Sequence, residues 1–393
     1  MDFTWSEEEK HIFSEFEKLC REKIEPRAEQ LDRNPSLELI KDNLNILAEF
    51  GYLGAPLPEK YGGGGMRWTA YFTMSEYLAK ACASTHLSAL AHTLLCANFI
   101  AMFGTEEQKR KYLPDLANGR KIGALCATEP SCGSDLGDLK TKAERIKGGK
   151  YALTGTKAYV TNGPIADLFI VLARVPSDGS NSKKHEGITA FIVERDSKGL
   201  SVGNPYDKLG VRGSPTSDLY LDGVEVSAEN IVGGVEGQGF KQVMRVFDIG
   251  RVGLAVFSLG IVSACLEECI RYSKERYAFG KPIAAYEDVN FKIVDMQITV
   301  DMGRSIILKS AWMHDMGLED AGLLASCAKL FVAERATKNA SDALQIFGGL
   351  GYIKGTKVER LYRDVKLGEI GEGTNEIQRR VIFKRLMKQY GYL

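Results

Sequence analysis

The chain has 393 residues, beyond the size at which one hydrophobic core keeps growing, so two or three packed substructures are expected. Lys plus Arg and Asp plus Glu each total 51, giving a formal charge of zero; with no global field to attract a polyanion, nucleic acid is excluded as an expected partner. The eight cysteines include no C-x-x-C pair, which argues against a disulfide framework and a zinc ribbon and fits a reducing compartment.

The start, with Glu7, Glu8 and Glu9 soon after Met1, is unlike a signal or transit peptide. No uninterrupted apolar run approaches the roughly 20 residues that span a bilayer. The expectation is a cytoplasmic chain without membrane insertion, or one whose presequence has been removed.

From Ser6 to about Arg120, apolar residues recur at steps of three and four, as in Ile12, Phe13, Phe16 and Leu19, so helices are expected. Ser6 and Glu9 have the spacing of a capping box. Between Ile122 and Val232 the period changes. Tyr151 and Leu153, Phe169 to Leu172, Ile188 to Val193, and Leu219 to Val226 read as short strands, enough for a β-barrel or sandwich. Pro176 to His185 reads as an exposed hairpin loop. Beyond Gly239 the helical period returns in long segments, at 240–277, 287–317, 319–347 and 375–390. The class is α+β, with boundaries set at 1–121, 122–238 and 239–393.

Neither the Rossmann G-x-G-x-x-G nor the Walker A pattern occurs, H-E-x-x-H is missing, and no histidine pair has metal-ligand spacing, so no metal is expected. Gly62 to Gly65 and Gly233 to Gly239 read as plain turns. Five other strings carry more: A-T-E-P-S-C-G-S-D at 127–135, A-Y-V-T-N-G at 158–163, E-R-Y-A-F-G-K-P at 275–282, Q-I-F-G-G-L-G at 345–351 and G-E-G-T-N-E-I-Q-R at 371–379. In this order and spacing the sequence resembles the acyl-CoA dehydrogenase family, almost end to end.

The resemblance implies an N-terminal helical domain, a middle β-barrel and a C-terminal four-helix bundle, assembled as a homotetramer. It implies FAD as cofactor, an acyl-CoA thioester as substrate and an electron-transferring flavoprotein as electron acceptor. By matching positions, Leu125, Ala127, Thr128, Tyr159 and Thr161 would line the isoalloxazine ring, and Gly133 would be a further cofactor contact. Ser134 would sit where flavin and thioester meet. Arg276, Phe279, Gln345 and Gly349 would reach the dinucleotide of a neighbouring subunit, and Thr374 and Glu376 would lie near its pyrophosphate and adenosine. Taken alone, Arg276 reads as a solvated helix-end cation and Phe279 as core.

Glu372 is implied as the base that abstracts the α proton, with hydride passing to flavin N5. Flanking Gly371 and Gly373 would permit close approach of a ligand, and a carboxylate in a water-poor cleft has its pKa raised toward neutrality. Read alone, Glu372 is an acid at a helix start. Some relatives carry the base on the helix after the barrel; the matching position here is Gly250, which leaves Glu372. Asp248 and Arg251 match contacts to coenzyme A, and are otherwise a salt bridge on one helix.

Several positions depart from the pattern. Gly371 stands where many relatives have Tyr, which should widen the pocket for a branched, cyclic or aryl-bearing acyl group. Small residues in His86 to Ala91, Ser88 and Ala91 among them, leave depth for it. Glutaryl-CoA dehydrogenases have an Arg in this segment; here stand His86 and its neighbours, where a protonated His86 would serve a dicarboxylyl substrate, and otherwise His86 reads as a routine helix residue. Ala278 and Glu287 replace a frequent Thr and Gln near FAD. An acyl-CoA oxidase, an enoyl-CoA reductase and a non-catalytic flavin protein are the alternatives on this fold.

Overall fold

The computed structural model describes residues 4–176 and 184–391. Most of the loop expected at Pro176 to His185 lies outside the described residues.

Seven α-helices precede the first strand: α1 (Glu7–Leu19), α2 (Ala28–Arg33), α3 (Leu37–Glu49), α4 (Trp68–Ala81), α5 (Ala83–Leu90), α6 (Asn98–Phe103) and α7 (Glu106–Ala117). Ser6 caps α1 as its spacing predicts: Ser6 Oγ accepts from the Glu9 N–H at 3.1 Å and the Glu9 carboxylate accepts from the Ser6 N–H at 2.9 Å. The 3.6 period does not reveal two π-helical turns. One follows α1 (Cys20–Ile24), and the other (Ala91–Ala97) joins α5 to α6 and carries Leu94 and Leu95 toward the site.

The sheet contains β1 (Gly123–Cys126), β2 (Lys142–Ile146), β3 (Lys150–Thr161), β4 (Leu168–Arg174), β5 (Ile188–Glu194), β6 (Leu200–Val202) and β7 (Thr216–Ser227). Its order is β1-β4-β2-β3-β7-β6, with β5 paired to β4. β3 and β5 are not neighbours in that order, yet the rings of Tyr151 and Phe191 lie 5.4 Å apart; the sheet rolls over onto itself, as the barrel expectation requires. Successive side chains on β4 and β5 point to opposite faces. Phe169, Val171, Phe191 and Val193 fill the barrel core, while Leu168, Ile170, Leu172, Ile188 and Ile192 join the larger core shared with the helices.

The C-terminal region holds α8 (Gly239–Glu275), a two-stranded hairpin of β8 (Tyr277–Ala278) and β9 (Lys281–Pro282), α9 (Glu287–Asp315), α10 (Ala321–Phe347), α11 (Lys357–Val365), α12 (Leu367–Ile370) and α13 (Asn375–Gln389). α10 packs against α8, α9 and α13, the four long members of the bundle, and α4 packs on α8 and α9. Two helical segments, Ala83–Phe103 and Gly239–Glu275, are long and apolar enough to cross a membrane by composition, which qualifies the expectation from uninterrupted runs. Their apolar windows are 78% and 100% buried in the protein's own core.

Candidate active site

Glu372 lies in the turn between α12 and α13. Its backbone is left-handed (φ 51°), and Gly373 beside it is left-handed too (φ 84°). Among the described residues only five non-glycine residues have positive φ, and three of them, Tyr159, Phe279 and Glu372, carry expectations from the sequence. Such conformations cost on the order of 1–3 kcal/mol each and persist where the surroundings enforce them.

The surroundings at Glu372 are explicit. The buried Gln378 donates through Nε2 to the Glu372 carbonyl at 3.0 Å and to the Gly373 carbonyl at 2.9 Å. Lys329, fully buried on α10, donates to the carbonyls of Glu369 (3.2 Å) and Gly373 (2.9 Å) and to Asn375 Oδ1 (2.9 Å). Among the described residues, no protein acceptor meets the Glu372 N–H. The carboxyl itself enters an apolar recess on α8. A β-carbon on Gly250 would meet Glu372 Oε2 at 2.7 Å and Leu95 Cδ2 at 3.0 Å, and one on Gly371 would meet Leu254 Cδ2 at 3.2 Å.

Part of the Glu372 residue stays accessible, but Oε2 is buried and among the described residues has no hydrogen-bond partner. Burial pushes the carboxyl up to about 7, against the opposing pull of Arg251 and Lys329. That is a value suited to taking a proton at neutral pH.

Arg251 and Asp248 form the helix ion pair that is their ordinary reading, at 2.7 Å with both residues largely buried. Among the described residues, Arg251 Nε has no hydrogen-bond partner. Burial raises the Asp248 carboxyl, opposed first by Arg251. Ser88 is fully buried and its hydroxyl is committed to Ser214 at 2.9 Å; Ala91 begins the π-helical turn and is also buried. His86 is buried near the Phe257 ring with Nδ1 unpartnered, and burial lowers it to about 3. Desolvation favours the neutral imidazole, in keeping with the reading of His86 as a routine helix residue.

A second group gathers at the end of the barrel. β3 has an irregularity between Lys157 and Val160, where pairing with β7 skips Tyr159, a bulge that re-aims the side chain. Tyr159 is 67% exposed beside Tyr206. The Ala158 N–H donates to the Thr128 carbonyl at 2.9 Å, which brings Leu125, Ala127 and Thr128 next to Tyr159 and Thr161. Gly133 and Ser134 are exposed on the loop that follows, and the Gly133 position faces Thr128. Sequence reasoning missed the anchor of this loop. Lys157 and Glu129, both buried, pair at 2.8 Å, and the Glu129 carboxylate also accepts from the backbone of Lys140 and Thr141.

The third group is separate. Arg276 and Gly349 share an open groove with Tyr272, Ile283 and Phe347, and Gln345 is exposed on the last turn of α10. Phe279, expected as core on its own and as a contact to a neighbouring subunit by resemblance, is 97% exposed at the hairpin tip. Ala278 and Glu287 flank this region, the latter opening α9. Thr374 and Glu376 lie apart from this groove, next to Glu372: Thr374 caps α13, accepting from the Ile377 N–H at 3.4 Å, and Glu376 is exposed in its first turn.

The chain matches the acyl-CoA dehydrogenase N-terminal domain over residues 6–120, the middle domain over 124–224 and the C-terminal domain over 237–387. It is 40% identical over 388 residues to the probable acyl-CoA dehydrogenase YngJ of Bacillus subtilis, covering 99% of this chain and 100% of that one. The chain belongs to the acyl-CoA dehydrogenase family. As an acyl-CoA dehydrogenase it is an oxidoreductase. It is also 40% identical to a 3-(aryl)acrylate reductase of Clostridium sporogenes, over 94% of this chain and 96% of that one. The butyryl-CoA dehydrogenase structure from Megasphaera elsdenii superposes with a TM-score of 0.92 at 37% identity, over 98% and 100% of the two chains. An FAD complex of PigA superposes at 0.90 and 29%, over 99% and 100%. Structures of the family hold FAD. This acyl-CoA dehydrogenase has features that fit the cofactor: strained, exposed Tyr159 and Phe279, and the partly exposed Thr128 and Thr161 with their hydroxyls.

Proposed function

We propose that this acyl-CoA dehydrogenase introduces an α,β double bond into an acyl-CoA thioester, with Glu372 as the base. The observation that carries the reading is the Glu372 carboxyl: buried, free of hydrogen bonds at Oε2, pushed up to about 7, and mounted on a strained turn. The carboxylate takes the α proton. The Glu372 N–H is available to bind the thioester oxygen and so stabilise charge that develops there. Bound FAD would supply the acceptor for the β hydride.

Leu125, Ala127, Thr128, Tyr159 and Thr161 would hold the flavin ring with Gly133 as a further cofactor contact, Ser134 would sit where flavin and thioester meet, and Thr374 and Glu376 would lie in the region of the pyrophosphate and adenosine. Arg276, Phe279, Gln345 and Gly349 would reach the cofactor of a second copy in a homotetramer. Support comes from the bare Phe279 ring and from Phe291, Val294, Ile298 and Met302, which make an exposed apolar stripe along α9 at helical spacing. Asp248 and Arg251 border the thioester end, and an electron-transferring flavoprotein is the proposed acceptor.

The acyl group we propose is branched, cyclic or aryl-bearing. Glycine at 371 withholds a side chain from the wall formed by Leu254. The same preference suits the reverse reaction, and the arylacrylate-reducing relative favours enoyl reduction as the second reading.

The test is anaerobic bleaching of the bound flavin by straight, branched, cyclic, aryl and dicarboxylic acyl-CoAs. Rapid bleaching by the branched or ring-bearing class is expected, and the Glu372→Gln variant should keep its flavin yet lose roughly 10²–10⁴-fold in reduction rate. Full reduction in that variant would remove Glu372 from its role.

A further inference from the structure

The turn that carries Glu372 has one unusual neighbour. Lys329 lies in the interior of α10, within A-S-C-A-K-L-F, where a lone lysine ordinarily covers apolar surface with its stem and keeps its head in water. Here the head is turned inward and the residue has no exposed surface. A lysine ammonium has three N–H donors. All three are met, by the Glu369 carbonyl at 3.2 Å, the Gly373 carbonyl at 2.9 Å and Asn375 Oδ1 at 2.9 Å. These acceptors stand on both sides of Glu372.

Resting on the reading of Glu372 as the base, we infer that Lys329 is its positioning residue, clamping the backbone of the turn from below while leaving the carboxylate unbonded. Gln378 ties down the Glu372 and Gly373 carbonyls from α13, so the turn is held from two helices. The division of labour has a chemical logic. A direct Lys329–Glu372 ion pair would hold the carboxylate ionised and depress its basicity. Bonding to the carbonyls instead delivers the cation's field without a hydrogen bond to Oε2. The charged groups that face Lys329 are Glu372 from the turn, Glu369 from α12, Glu376 from α13 and Arg251 from α8. The carboxylates partly offset the burial that lowers Lys329 to about 8, so the ammonium stays the majority form at neutral pH.

The experiment compares Lys329→Met with Asn375→Ala in the FAD-loaded enzyme. For each it measures flavin content, kcat and KM, the pH profile of kcat/KM, and amide hydrogen exchange over residues 369–375. For Lys329→Met we expect flavin retention, a kcat loss of roughly 10²-fold with KM little changed, faster exchange of the turn, and an acid limb moved upward because a cation that favoured ionised Glu372 is gone. Asn375→Ala keeps the charge and removes one acceptor, so kcat should fall while the acid limb stays in place. A flavin-loaded Lys329→Met enzyme with parental kcat, acid limb and exchange overturns the inference. If Lys329→Met does not fold, parental kcat and exchange in Asn375→Ala overturn it instead. Failure of the base assignment shows separately, as retained activity in Glu372→Gln. The exchange of the turn in Lys329→Met then still decides the clamp.

Discussion

Gly250 on α8 and Glu372 on the turn before α13 are complementary: a single β-carbon on Gly250 would lie 2.7 Å from Glu372 Oε2. Only one of the two positions has room for a side chain. A Gly250→Ala variant should therefore displace the carboxylate and lower kcat by roughly 10²-fold, with flavin binding intact. Adding Glu372→Gly to it should restore the lost thermal stability without restoring activity. A Gly250→Ala enzyme with parental kcat would show that the carboxylate sits elsewhere during turnover.

The pH dependence follows from the raised Glu372. Its folded pKa of about 7 exceeds the usual value of 4.5. Its contribution to stability is thus fully present below about 4.5 and is lost as pH rises through 7. Replacement by Gln should stabilise the protein at pH 8 by up to about 3 kcal/mol and hardly at all at pH 4. Thermal melts of the two proteins at equal flavin occupancy would measure it. In kcat/KM the same group should give an acid limb near pH 7.

His86 offers a contrast. It is buried, neutral and unpartnered at Nδ1, so His86→Leu removes an unsatisfied polar atom and should change stability by less than about 1.5 kcal/mol. Activity on a monocarboxylic acyl-CoA should be unchanged. A dicarboxylic substrate lost selectively in this variant would restore a binding role to the imidazole.

The Lys157–Glu129 pair should behave in the opposite way. Lys157→Met leaves the Glu129 carboxylate buried without its cation, a loss of roughly 3–5 kcal/mol. The segment that runs from Ala127 through Thr128 is anchored there, so flavin affinity should fall with stability. Denaturant melts of the apoprotein and equilibrium dialysis of FAD separate the two effects.

The hairpin tip gives a fifth prediction. Phe279→Asp leaves the fold of one chain untouched, because the ring is 97% exposed. If it reaches a second copy, light scattering should show a smaller particle and the FAD content should drop together.

Much of this was legible in the chain. Helices α8, α9, α10 and α13 fall within a few residues of their expected limits, because long apolar periods with polar interruptions leave few alternatives. β1 was hidden: Gly-Ala-Leu-Cys has no β-branched residue and owes its state to pairing with β4. α11 and α12 are short, and neither stood out from the loop composition around them. In the site, Glu372 was readable from its two glycines and the family's motif. Lys329 and Lys157 were not, since a lysine whose head turns inward has the same local sequence as one that faces water. Only the tertiary position of its acceptors tells them apart.

β4 and β5 give alternate side chains to two different cores, and this constrains how the chain can be cut and recombined. A fragment spanning the barrel alone would carry Leu168, Ile170, Leu172, Ile188 and Ile192 as a bare greasy wall, and the helices left behind would lose the surface they fold against. Exchange of the middle segment between relatives thus requires the matching faces of the helices to travel with it. The shared faces of β4 and β5 bind the three segments to one another, however clearly the change of period marks their borders.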